Sequence, residues 1–371
     1  MRHFILILSW IIGWLLLLRR TRFLEAKNLQ NKSICLSVII PAMNEEHNIG
    51  KILNSLKTQN YKPYEIIVVN DNSTDKTESV ASSYVGIDII SLKTEPPKGW
   101  IGKPWSCWNG YLKSTGNLLL FLDADVELSR EALESLVTEY IKHGGLISVW
   151  PYQRFEKFYE HLIMPFNLIA LSSMNSFSLF HKSNPIGVFG PVILTSRSDY
   201  EKTGGHLAVK NQVVEDLKIG KIYLEKGIGV TNILGGEIIK FRMYPKGLRQ
   251  LFEGLSKNMA FGAIQIGMIN LLVICLWFGG IYSSFFYCLS KSEYLIYYLL
   301  FVLQIYMLIS KTGDYSFWDV VFYPVHFWYL TSSALFLLLY KRKGLSCYLH
   351  TGYDISFIYY IYYTYSRNPS F

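Results

Sequence analysis

The chain has 371 residues, enough for one large domain or two ordinary ones, and is 50% hydrophobic and 16% aromatic, with the apolar excess at its two ends. A net charge of +8, with much of the Lys and Arg flanking apolar segments, suits an anionic membrane surface. No zinc-finger, helix-turn-helix or RNA-binding signature occurs, so no nucleic-acid partner is expected. The cysteines at 35, 107, 275, 288 and 347 form no Cys-x-x-Cys pair and read as reduced thiols, which excludes a disulfide framework.

Phe4 to Leu18 is almost unbroken apolar sequence, followed by Arg19, Arg20 and Arg22. A cleaved signal would carry its charge first and end in small residues. Here the charge cluster follows, so residues 1–22 read as a retained membrane anchor with the next domain on the cytoplasmic side. The apolar core is short for a span of roughly 20 residues, which leaves a tilted or interfacial helix open.

Leu36 to Ile40 predicts a strand, and a helix over 46–59 places Ile49, Ile52, Leu53 and Leu56 on one face. A second strand, Tyr64 to Val69, runs into Asn70-Asp71-Asn72-Ser73-Thr74-Asp75. A helix at 76–84, a strand at 87–91 and the loop Lys98-Gly99-Trp100-Ile101-Gly102-Lys103-Pro104 follow, then a helix to about Ser114. Leu118 to Leu122 is an apolar run that ends in Asp123-Ala124-Asp125. Such a run suits a strand buried on both faces. Strands alternating with helices from 36 to 128 predict a doubly wound α/β nucleotide-binding half. Further on come a helix at 130–143, strands at 146–149 and 189–195, a helix at 215–226, and a basic amphipathic stretch at 241–260. The apolar stretch 155–180, broken by Pro165, fits a membrane surface, the roof of an acceptor groove or a buried helix pair.

The apolar segments 264–289, 293–310 and 317–340 are candidate spans, and the last ends in Lys341-Arg342-Lys343. Three crossings would put that basic run outside, against the positive-inside tendency, so either one segment is re-entrant or interfacial or the bias is overridden. The expected division is an anchor at 1–22, a catalytic domain at 34–260, transmembrane helices at 261–343 and an aromatic tail at 344–371.

Ligands of open α/β sheets bind beyond the carboxyl ends of the strands. Asp123 and Asp125 sit at such an end and, two apart on extended chain, point the same way. Two close carboxylates call for a cation, and Mg²⁺ is commonly held by one or two carboxylates plus substrate phosphates. Pro41, Ala42, Asn44 and Glu45 could frame a nucleobase and ribose, Asp71 could accept from a uracil N–H, and Lys103 could neutralise phosphate. Gly204-Gly205-His206 and Glu215-Asp216 complete the set. Each has a plain alternative. Asp71 and Asp75 could cap a turn, Lys103 could be a surface lysine, His206 a structural histidine, and Glu215-Asp216 a charge pair favoured by a helix dipole.

Val38 to Glu46, Asn70 to Asp75 and Asp123-Ala124-Asp125 resemble the three leading motifs of the family 2 glycosyltransferases. Phe189 to Thr195, Tyr200 and Gly204-Gly205-His206 resemble a membrane branch that includes the carotenoid glucosyltransferases and diaponeurosporenoate glycosyltransferases. The resemblance implies a GT-A fold, a UDP-sugar donor (most often UDP-glucose), Mg²⁺ or Mn²⁺ on Asp125, uridine contacts from Glu45 and Asp71, and Asp216 as the base of an inverting transfer. It also implies a multi-pass membrane protein and a lipid-like acceptor. Processive relatives carry Gln-x-x-Arg-Trp after the base, whereas the corresponding region here, Arg249 to Asn258, has no Trp. That departure favours a single transfer, with Arg242, Arg249 and Lys257 as pyrophosphate contacts or as an amphipathic face on anionic lipid. A diacylglycerol, a polyprenyl phosphate or a growing polysaccharide is the alternative acceptor, and a membrane scaffold with a decayed nucleotide fold is the non-enzymatic alternative.

Overall fold

A computed structural model describes residues 1–17, 23–26, 34–63, 65–178, 185–212, 214–252, 254–255 and 268–342, the last ten of them by backbone alone. Arg19, Arg20, Arg22, Lys257 and the tail 344–371 lie outside the described residues.

Seven strands form the main sheet: β1 (Leu36–Ala42), β2 (Glu65–Asp71), β3 (Asp88–Leu92), β4 (Leu118–Leu122), β6 (Leu146–Trp150), β8 (Val192–Ser196) and β9 (Val230–Leu234). Their order is β3-β2-β1-β4-β8-β6-β9. The first four run parallel, and β8 is antiparallel to both of its neighbours. The doubly wound mixed sheet is therefore present. The chain runs outward from β1 through β2 to β3, then returns to the other side of β1 with β4. That reversal opens a crevice beyond the carboxyl ends of β1 and β4. β1 and β4 are buried along almost their whole length, as continuous apolar runs require of strands covered on both faces. A second sheet packs β5 (Val126–Leu128), β10 (Ile239–Phe241) and β7 (Tyr152–Gln153) beside the crevice.

Helices cover both faces. α2 (Ile49–Lys57) buries Ile49, Ile52, Leu53 and Leu56, the face read from the sequence, each side chain contributing about 1.5–3 kcal/mol. It starts three residues later than predicted, because Glu45 and Glu46 belong to a turn. α3 (Thr77–Ser82), α4 (Gly102–Lys113) and α5 (Ala132–His143) follow near their predicted places. The stretch 155–180 forms a 3-10 helix, Phe158–Ile163, and α6 (Met164–Ser173), whose first turn takes Pro165 where no N–H partner is needed. α7 (Arg197–Thr203) and α8 (Glu215–Glu225) complete this part.

The predicted N-terminal anchor is α1 (Arg2–Leu17), and it does not stand alone. It packs on α9 (Met268–Ser290) and α10 (Leu295–Ile309). Ser9 donates to the carbonyls of Leu276 and Trp277, and Gly13 lets the Trp277 indole lie against the α1 backbone. Trp277 Nε1 donates to Gln304 Oε1, and Gln304 Nε2 donates to the Trp10 carbonyl. Past the helix, Leu24 N–H donates to the Leu234 carbonyl, so the leading segment also joins the sheet edge at β9. The expected last span, 317–340, is broken at Phe322 into α11 (Phe317–Val321) and α12 (Tyr323–Arg342). Among the described residues, α9 and the stretch Ser292–Ile309 are long and apolar enough to cross a membrane.

Candidate active site

The crevice at the strand reversal collects most of the residues singled out above. Asp71 is the last residue of β2, Pro41 and Ala42 end β1, and Asp123 follows β4 directly. Asp123 N–H donates to the Pro191 carbonyl at 2.9 Å, which ties the turn after β4 to the segment before β8. Lys103, in the first turn of α4, reaches across to Asp123 Oδ1 at 2.7 Å and to Glu215 Oε1 at 3.3 Å. One ammonium thus ties the first half of the sheet to the start of α8. Burial works against its charge, but Asp123 and Glu215 outweigh that and hold its pKa well above the ordinary lysine range.

Asp216 opens α8 beside Glu215, and its Oδ1 accepts the Leu217 N–H. Gly190 comes so close that a Cβ there would lie 2.9 Å from Asp216 Oδ2 and 3.4 Å from Lys103 Nζ. Burial, then the charge of Glu215, push the Asp216 carboxyl up to about 7, with Lys103 opposing. A carboxyl in that range can take and give a proton near neutral pH.

Asp125 sits among more carboxylates than cations. Burial and the charges of Asp123 and Glu45 raise it to about 8, with Lys103 only partly compensating. A site that strains to keep its carboxylates ionised fits a divalent cation. Among the described residues no group of three or more His, Cys, Asp or Glu could cage a metal. The raised Asp125 carboxyl beside Asp123 would suit a divalent cation that takes few protein ligands, as hard cations shared with substrate phosphates do.

The nucleotide side is braced from two loops. Asn44 and Asn72 both adopt positive φ, at 58° and 50°. Asn44 N–H donates to Ser73 Oγ, and its side-chain oxygen accepts the Thr74 N–H at 2.8 Å. Glu45 N–H donates to Thr77 Oγ1, and the Glu45 carboxylate accepts from Asn48 Nδ2 at 2.8 Å. Asp75 accepts from the Glu46 and Thr77 backbone, so it serves as the turn cap weighed from the sequence. Asn44 thus shapes the pocket wall through the loop it holds. Asp71 is held by Ser106 and lies against Gly102, where a Cβ would come within 2.9 Å of its Oδ2. Burial raises the pKa of both Glu45 and Asp71.

Three residues expected at the ligand are engaged by protein partners. His206 is buried, its ring 4.7 Å from that of Phe121 and its Nδ1 2.8 Å from the Tyr200 hydroxyl. Burial drives its pKa down to about 3, so it is a neutral scaffold group beneath the crevice. Gly205, at φ +48°, lies where any Cβ would enter the Tyr200 ring, so its lack of a side chain serves close packing. Arg242, expected at the pyrophosphate, is claimed by carboxylates: Nη1 lies 2.6 Å from Glu156, while Nη2 and Nε bind Glu160 at 2.5 and 3.2 Å. The buried Glu160 requires that partner, so Arg242 clamps the second sheet to the 3-10 helix before α6.

Sequence reasoning missed Gly190, whose lack of a side chain admits Asp216 and Lys103 together. It also missed the cluster of indoles at the start of α4, where the Trp100 ring lies 5.1 Å from that of Trp105 and 6.1 Å from that of Trp108. The three-residue step from Trp105 to Trp108 was the signal that they share a helix face.

A parallel sheet reversal with paired carboxylates, a bridging lysine and a further acidic pair defines a doubly wound α/β protein with an acidic crevice beyond its strand ends. The family model Glycosyl transferase family 2 matches residues 37–190. The chain is 35% identical to the 4,4'-diaponeurosporenoate glycosyltransferases of Staphylococcus aureus strains MRSA252 and USA300, over 85% of this chain and 87% of each relative. A mannosyltransferase from Pyrobaculum calidifontis, solved with GDP-mannose and Mn²⁺, superposes with a TM-score of 0.51 at 15% identity, covering 82% of this chain and 93% of that one. The chain belongs to glycosyl transferase family 2 and has the GT-A fold. It is a glycosyltransferase similar along most of its length to the staphylococcal 4,4'-diaponeurosporenoate glycosyltransferases.

Proposed function

We propose that the protein is a membrane-bound, inverting hexosyltransferase. It moves one sugar, glucose in the first instance, from a UDP-sugar to an apolar acceptor such as a carotenoid acid. The observation that carries this reading is Lys103 held between Asp123 and Glu215, with Asp216 packed against Gly190 at the same point. In this reading the donor's phosphate side faces a carboxyl suited to proton transfer.

In this reading Glu45 and Asp71 receive the uridine, and Lys103 faces the diphosphate. A divalent cation at Asp125 would neutralise charge on the leaving diphosphate. Asp216 takes the proton of an acceptor hydroxyl, or orients an acceptor carboxylate that is already ionised at neutral pH. The acceptor oxygen bonds to the anomeric carbon as the bond to UDP breaks, inverting that centre. Glu215 holds Lys103 in place and keeps Asp216 basic. The apolar helices α1, α9 and α10 supply the lipid setting in which such an acceptor resides.

The test is donor turnover by detergent-solubilised protein with UDP-glucose, Mg²⁺ or Mn²⁺, and a lipid extract containing apocarotenoid acids, read by mass spectrometry. A single-hexose adduct on the carotenoid acid, lost with EDTA, is the expected result. The hexose on a diacylglycerol or a polyprenyl phosphate, or a ladder of products, would overturn the acceptor assignment. Absence of metal-dependent UDP binding would overturn the enzymatic reading.

A further inference from the structure

We propose that α11 and α12 form a re-entrant hairpin that enters the membrane from the catalytic side, so that the end of α12 returns to the side of the catalytic domain. The inference rests on the membrane reading above and extends it to a lipid-facing surface and a topology.

The contacts of α1, α9 and α10 set the direction of the bundle. Arg2 lies over the Tyr287 ring and His3 stacks on Tyr294, which places the start of α1 at the turn between α9 and α10. The opposite end meets the catalytic domain, where Gln153 N–H of β7 donates to Thr312 O and Asp314 N–H donates to Gln153 O. α9 therefore leaves the catalytic side and α10 returns to it.

From there the chain dips and turns back. Phe317 packs on Tyr306 at 5.8 Å, and the Tyr298 hydroxyl donates to the Val321 carbonyl. Going from Tyr306 to Tyr298 is a move back along α10, away from the catalytic domain. α11 has five residues, about 7.5 Å of helix, far short of a crossing. α12 then begins deep and rises. The Tyr323 hydroxyl lies 2.9 Å from Ser284 Oγ, whereas Phe327 packs at 5.0 Å on Phe278, nearer the start of α9. Leu330 joins Leu251, Leu255, Ile163 and Phe166, all attached to the catalytic part. Ser284 lies about 24 Å of helix beyond Met268, and the twenty residues of α12 span about 30 Å, so its end regains the level where α9 began.

The hairpin is pinned at that level. His161 Nδ1 lies 2.9 Å from Asp319 Oδ2, Phe155 N–H donates to Asp314 Oδ2, and Asn167 Nδ2 donates to the Tyr315 hydroxyl. Its outer face is exposed and aromatic: Phe317, Trp318, Phe322 and Trp328 are 50–69% accessible. That face continues the exposed apolar side of α9 and α10, marked by Leu272, Leu276, Leu299 and Leu303. Its occupant is therefore lipid, which suits an unbroken apolar and aromatic surface on helices of this length. A helix that ends on the catalytic side removes the conflict that three crossings would have with the positive-inside tendency.

The experiment is side-specific labelling with a membrane-impermeant maleimide in sealed vesicles of known orientation. In a cysteine-free background, Lys98→Cys reports the catalytic domain, Lys291→Cys the turn between α9 and α10, and Lys343→Cys the end of the hairpin. We expect Lys343→Cys to label from the same side as Lys98→Cys, and Lys291→Cys from the other. Labelling of Lys343→Cys with Lys291→Cys would overturn the hairpin alone. Labelling of all three from one side would overturn the membrane crossing beneath it. A C-terminal epitope tag on the chain with its native cysteines gives a second reading. Digestion by protease in vesicles that expose the catalytic domain supports the hairpin, and protection there overturns it.

Discussion

Gly190→Ala tests whether the base and the lysine have to meet where the structure puts them. The added methyl would lie 2.9 Å from Asp216 Oδ2 and 3.4 Å from Lys103 Nζ. An unstrained carbon–oxygen contact is about 3.5 Å or longer, so the Asp216 carboxylate has to retreat by roughly half an ångström. A misplacement of about 1 Å can cost 10²-fold in rate, so half of that predicts about a tenfold fall in turnover, or about 1.4 kcal/mol of barrier. Gly190 has no positive φ, and the atoms it would meet are side-chain ends free to shift, so folding should barely change. The assay is initial-rate sugar transfer at saturating donor, with the thermal melting of both proteins measured in parallel. Unchanged turnover in a protein that folds normally would refute the role given to Asp216 and Lys103.

Lys103→Met removes the cation between Asp123 and Glu215 and should cut transfer by at least about 10²-fold, as loss of a positioned charge does; since Lys103 also opposes the rise of the Asp216 pKa, any residual activity should shift to higher pH. Asp216→Asn should abolish transfer and change the pH dependence of folding. The folded-state pKa of about 7 lies above the unfolded value of about 3.9, so the wild type loses stability as pH rises between the two. The Asn variant lacks that loss, so its melting temperature should gain on wild type from pH 4 to pH 7, and parallel curves would count against the buried carboxyl. Arg242→Ala should destabilise the fold by about 3 kcal/mol by stranding the buried Glu160, with the donor KM unchanged in whatever protein folds; a raised donor KM at unchanged stability would restore the pyrophosphate role.

The order of strands and helices from Leu36 to Leu128 was legible because a buried parallel strand needs a continuous apolar run and an amphipathic helix a 3.6-residue stripe. Asp71, Asp123 and the Glu215-Asp216 pair were legible because they stand at strand and helix ends, where functional side chains reach a crevice. Asp125 was legible as the second carboxylate after the β4 run, although the chain from Asp123 to Asp125 is a turn and not the extended segment that the two-residue spacing assumed. These are local patterns, set by nearest neighbours along the chain.

What local pattern could not decide was partnership. His206 and Arg242 carry the same side chains whether they meet substrate, Tyr200 or Glu160, and only the packing of distant segments chose the protein partners. Gly190 gained its importance from residues on two other helices. The anchor and the spans looked independent in sequence, because hydropathy records how apolar a segment is and nothing of what it packs on. Ser9 on Leu276, Tyr298 on Val321 and His161 on Asp319 set the direction of the last helices, and all three join residues far apart in the chain. Composition alone determined that the ends are apolar and the middle α/β. Tertiary contact decided which carboxylates share one lysine and on which side of the bundle the chain returns.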